Sequence, residues 1–113
     1  MRFLFLGLVI SALASCGGSS QRAVVGVQFA SGPISEACLA AGRDAASRPL
    51  CQCVQGVANQ DLSARDQSRA AAFFGDPQRA QDTRQSDNPS LEAFWDRYRA
   101  WADRAARICG AVA

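Results

Sequence analysis

The sequence predicts an all-α fold: a small bundle of four to five helices, stapled by two disulfides, behind a signal peptide and a flexible tether. Three observations carry that expectation. From Pro33 onward, apolar residues recur at the i, i+3, i+4, i+7 spacing of a helix face. The segments so marked are punctuated by Pro, Ser, Asp and Gly at the positions where helices start and stop. The cysteines, Cys16, Cys38, Cys51, Cys53 and Cys109, leave an even set of four once the first has another use.

Taken in order, residues 22–30 (RAVVGVQFA) are apolar and β-branched but broken by Gly26, and read as irregular chain within the tether. Pro33 opens a first helix with Ile34, Ala37, Cys38 and Ala41 on one face, and Gly42 sits at its end. A second helix starts near Pro49 with Ser47 as its cap, burying Leu50, Cys53, Val54, Val57 and Ala58. Ser63, with Asp66 three residues later, has the spacing of a capping pair for a third helix running to Phe74. Gly75 closes it. Asp76-Pro77 starts a short fourth helix through Arg84, and residues 85–89 (QSDNP) form a turn. The last helix carries a stripe of Leu91, Phe94, Trp95, Tyr98, Ala102, Ala105 and Cys109, with Trp101 and Ile108 on its flank. Asp103 and Arg107 are spaced as an i, i+4 ion pair in the favourable order.

The first twenty residues read as an address. Met1-Arg2 is a short positive start, and residues 3–14 are an apolar run of signal-peptide length, well short of the roughly 20 residues that span a bilayer. Leu13-Ala14-Ser15-Cys16 resembles the bacterial lipobox. The resemblance implies cleavage before Cys16, a diacylglycerol on its thiol and an acylated amino terminus. Cleavage after Ala14 is the competing reading, and it would leave Cys16 as an odd thiol in a soluble periplasmic protein. The expected division is thus residues 1–15 as lipoprotein signal peptide, 16–32 as lipidated terminus and tether, and 33–113 as the helical disulfide-bonded domain. The membrane is then a partner through the lipid anchor. Gly17, rather than Asp, follows the cysteine, which by similarity to enterobacterial sorting favours the outer membrane, with the domain facing the periplasm.

Inside a helix, side chains at i and i+2 point apart, so Cys51 and Cys53 do not bond each other. One should reach Cys38 and the other Cys109, and the sequence leaves both pairings open. A metal site is not expected, because structural zinc wants C-x2-C knuckles and exported thiols oxidise.

All twelve cations are arginine, set against 10 Asp+Glu for a net charge of +2, and the chain lacks both lysine and histidine. That removes Ser-His and Cys-His catalysis, imidazole metal ligation and Schiff-base chemistry. Near balance of charge also speaks against nucleic acid as a partner. No cofactor is implied. Glu36 and Glu92 are the only glutamates, the one pair that a carboxylate-based cell-wall enzyme would draw on. Arg84, just before the QSDNP turn, Asp87, within it, and Trp101, at the edge of the stripe, are the candidate ligand or partner surface.

From Cys38 to Cys109, the segments ACLAAGRDAASRPLCQCVQGVANQDL and AAAFFGDPQRAQDTRQSDNPSLEAFWDRYRAW resemble a family of small secreted proteins and lipoproteins of Rhodobacter-type alphaproteobacteria. Some members carry the description "arginine transporter". The resemblance implies arginine as a ligand, held bidentately by an acidic residue such as Asp87. A domain this small makes no channel, so the role would be accessory to uptake. The leading expectation is a non-enzymatic envelope lipoprotein, a helical module that binds an envelope protein or wall component. Accessory arginine uptake is the alternative, and a carboxylate-based cell-wall enzyme the third.

Overall fold

The computed structural model describes residues 23–24, 26–42 and 46–112, with side-chain burial from residue 26. The signal-peptide reading, the lipidation site Cys16 and residues 17–22 of the tether lie outside the described residues. Five helices follow one small hairpin: β1 (Ala23–Val24), β2 (Val27–Gln28), α1 (Pro33–Ala40), α2 (Arg48–Asp61), α3 (Ala64–Gly75), α4 (Pro77–Arg84) and α5 (Pro89–Cys109). The expected all-α bundle with two disulfides is what forms.

The caps explain where the helices begin. The Ser47 hydroxyl accepts from the Leu50 amide at 3.2 Å and the Ser63 hydroxyl from the Asp66 amide at 3.1 Å. Asn88 Oδ1 accepts from the amides of Ser90 and Leu91, one residue ahead of Pro89 at the start of α5. Such caps satisfy amides that have no partner within the helix. The start of α1 is satisfied differently. Gln55, fully buried on α2, reaches across and accepts from the amides of Ile34 at 2.7 Å and Ser35 at 3.1 Å. Its own Nε2 donates to Gln67 Oε1 on α3 and to Asn59 Oδ1. Gln67 Nε2 in turn meets the carbonyls of Ala58 and Leu62. One buried amide thus locks three helices in register, with its polar atoms paired.

The hairpin corrects the reading of residues 22–30 as irregular tether. Ala23 pairs with Gln28 and Val24 with Val27, antiparallel, around Gly26 at φ 76°. Val27 is fully buried in the main core, and the Ala30 amide donates to the Gln52 carbonyl on α2 at 3.1 Å. The folded body therefore starts before Pro33. The partner that sequence could not see is α2 itself: Gly56 leaves room for β2 to lie directly on the helix.

The core runs through Val27, Ile34, Cys53, Val57, Ala58, Leu62, Ala70, Phe73, Phe94, Trp101, Ala105 and Cys109. α1 packs on α2 and α3, α2 on α5, and α4 bridges α3 and α5. The open pairing is resolved as Cys38–Cys51 and Cys53–Cys109, with Cα–Cα distances of 5.7 and 5.8 Å. The second helix is strapped to α1 on one flank and to α5 on the other.

Two arginines set the rotation of α5. Arg97 grips Asp66 of α3 with Nε at 2.7 Å and a terminal nitrogen at 3.1 Å. Arg104 reaches Asp61 at 2.6 Å and Gln60 at 2.7 Å, both at the end of α2. The anticipated Asp103–Arg107 pair is not among the ion pairs of the described residues. The Ser63–Asp66 capping pair is likewise half right, since the Asp66 carboxylate is spent on Arg97.

Candidate functional site

Two larger cavities lie beside the aromatic side of α5. The first, of about 300 Å³, lies between α2 and α5, closed at one end by Phe74 of α3. Leu50 and Val54 form one wall and Tyr98, Trp101, Ala102 and Ala105 the other. Cys38 and Cys109, one from each disulfide, line it as well. The lining is mostly apolar. Trp101 is only 3% exposed, and its Nε1 is the one buried side-chain polar atom among the described residues with no hydrogen-bond partner. An indole N–H in that state costs roughly 1–3 kcal/mol relative to a paired one.

The aromatic rings support this wall. Tyr98 stacks on Trp95 at 5.0 Å between centroids and meets Phe73 edge-on at 5.1 Å and Trp101 at 5.7 Å. Phe73 is buried against Phe94, whereas Phe74 is half-buried at the cleft. The adjacent phenylalanines thus divide their work: one fills the core, the other shapes the opening.

The second cavity, about 400 Å³, is built by three helices. Ser68, Arg69, Ala72 and Phe73 come from α3, Arg79 and Thr83 from α4, and Leu91 and Phe94 from α5. The Arg69 guanidinium lies 5.5 Å from the Phe94 ring centroid, a cation–π arrangement.

No protein-family model, curated protein or solved structure matches this chain. The chemistry rests on the residues themselves.

Of the three surface candidates, Trp101 is a correction. It is buried, at 3% exposed, on one side of the inward face it shares with Phe94, Ala105 and Cys109, and is not open to solvent. It reaches a ligand only from inside the cleft. Arg84, the last residue of α4, and Asp87, in the following turn, are both exposed. Neither lines these cavities, and the structure does not bring them together with Trp101 into one site. Glu36 on α1 and Glu92 on α5 are exposed and also outside the cavity linings. Among the described residues no three His, Cys, Asp or Glu side chains cluster as metal ligands. The four domain cysteines are at most 8% exposed and bonded in pairs, so Cys51-Gln52-Cys53 offers no free dithiol.

Asp66 is the acidic group whose titration the fold visibly changes. Hydrogen bonding from Arg97 holds its carboxyl below the ordinary carboxylate range, against the opposing effect of its burial. Arg69 and Arg65 add smaller attractions of the same sign.

Sequence reasoning missed Arg69, Arg79, Leu50 and Val54 as cavity residues. The two arginines looked like solvated surface because each has an aspartate within three residues of it. Their convergence depends on how α3 and α4 meet, which local spacing does not report.

Proposed function

We propose that this chain is a non-enzymatic lipoprotein of a bacterial cell envelope, anchored through Cys16 and facing the periplasm. Its helical domain serves as a small binding module. The outer membrane is the favoured site, on the strength of Gly17 after the cysteine. The observation that carries the binding role is the α2–α5 cleft, an apolar slot of about 300 Å³ between two helices. A pocket of this size with apolar walls suits an apolar side chain. A segment of an envelope protein supplies that chemistry. Disulfide staples support an oxidising compartment.

The arginine-uptake reading draws no support from the two larger cavities, since neither has an acidic side chain in its lining. A guanidinium ligand needs a carboxylate.

Two measurements test the proposal. The intact mass of protein from a membrane extract should correspond to a chain starting at acylated Cys16, gaining four alkyl groups only after reduction. A chain starting at Ser15 would sink the anchor. For the module, photo-crosslinking residues placed at Ala102 and Ala106 in cells should capture one discrete envelope partner, and Trp101→Phe should weaken that capture. Equal capture from the exposed positions Arg99 and Asp103 would sink the cleft.

A further inference from the structure

The second cavity differs in kind from the cleft. Ala72, Phe73, Leu91 and Phe94 make an apolar floor, and two guanidiniums from different helices stand at it. Arg69 makes no ion pair or hydrogen bond among the described residues; the Phe94 ring is its contact. Arg79 has only a long 3.8 Å approach to Asp76, both side chains more than half exposed, which in water contributes little. The two hydroxyls at the site already donate to backbone: Ser68 Oγ to the Ala64 carbonyl and Thr83 Oγ1 to the Arg79 carbonyl. The donors left for a ligand are therefore the guanidiniums.

An apolar floor with cationic donors and no carboxylate in its lining complements an aliphatic chain that ends in a carboxylate. We propose that this cavity binds a medium-chain fatty acid, its carboxylate between Arg69 and Arg79 and its chain along Phe73, Leu91 and Phe94. The volume of about 400 Å³ lies near the lower end of ligand pockets, which suits a chain of medium length. Arginine is suited to the task because its planar fork meets a carboxylate with two parallel hydrogen bonds. The site stands independently of the α2–α5 cleft and of the lipid anchor.

The test uses the full-length chain with Cys16→Ser, exported and oxidised so that no acyl group competes, titrated with decanoate below its micelle concentration. Amide resonances of Thr83, Leu91 and Phe94 should shift saturably. Decanol, with the same chain and no charge, should bind at least tenfold more weakly, because charge-assisted hydrogen bonds to a carboxylate are the strong ones. Arg79→Gln, at an exposed position, and Arg69→Gln should each weaken decanoate about tenfold and leave decanol unchanged, since each hydrogen bond to a charged group is of that size. Decanol binding as tightly as decanoate, decanoate affinity unchanged in both variants, or shifts confined to the α2–α5 cleft would each overturn the proposal.

Discussion

A methyl group added at Gly56 would stand 2.1 Å from the Gln28 carbonyl oxygen and 2.8 Å from Val27 Cγ1. Neither neighbour yields easily, because one is backbone and the other is buried in the core. Gly56→Ala should therefore lift the hairpin off α2, at a cost of about 1–3 kcal/mol, the usual range for overpacking. Faster amide exchange at Ala30, whose hydrogen bond to Gln52 depends on that seat, is the specific readout. Gln55 is the other single residue on which much depends. Gln55→Leu keeps the bulk but abandons the Ile34 and Ser35 amides and the Gln67 carbonyl oxygen. A loss of at least about 2 kcal/mol in urea unfolding is expected, since each orphaned buried group costs about 1–3 kcal/mol. Gly32 belongs to the same arrangement, because a Cβ there would come within 2.8 Å of the Gln55 amide. None of this was visible beforehand. A glutamine inside an otherwise apolar helix face looks like an interruption, and its partners on the other helices lie 12 to 21 residues away.

Helices α3 and α5 are joined by Asp66 and Arg97, and the depressed Asp66 carboxyl makes that joint sensitive to acid. The sign follows from linkage: a carboxyl whose titration is lower when folded than when unfolded stabilises the fold above the unfolded value, about 3.9. That contribution fades as the pH drops through the lower folded value. The urea midpoint of the native chain should thus fall more steeply below about pH 4 than that of Asp66→Asn, with the two curves converging in strong acid. Parallel curves would show that the joint contributes nothing. Helix existence was legible because Pro33, Ser47, Ser63, Asp76 and Asn88 announce their starts locally. Helix rotation was not. The stripe read from the sequence centres some 40° from the buried face of Phe94, Trp101, Ala105 and Cys109, as judged at 100° per residue. Trp101 was misplaced for that reason: the edge that decides it is held by Arg97 and Arg104, through residues more than thirty positions away. The same limit hid the second cavity, whose arginines converge only when three helices are assembled.

At the scale of the whole molecule, the two disulfides are unequal. Cys53–Cys109 spans 56 residues and Cys38–Cys51 only 13. Loop-closure entropy assigns about 4 kcal/mol to the longer and about 3 kcal/mol to the shorter. The double alanine variant at Cys53 and Cys109 should therefore unfold at lower denaturant than the one at Cys38 and Cys51. The opposite order would indicate that docking of α1 on α2, and not the unfolded chain, decides the loss. Cysteine parity already pointed to two bridges, but the choice between two pairings depended on which flank of α2 each neighbour occupies. That is a property of the assembled bundle alone.

The hairpin seated on Gly56 also shortens the leash. If the chain is held at Cys16, as proposed above, seven residues separate the anchor from the first paired residue, Ala23, instead of the seventeen that a start at Pro33 would give. Fully extended, seven residues reach about 25 Å, whereas seventeen would reach about 60 Å. A domain so tethered would patrol a thin layer next to the bilayer that holds it. Its binding partners would have to come to the membrane surface to be met.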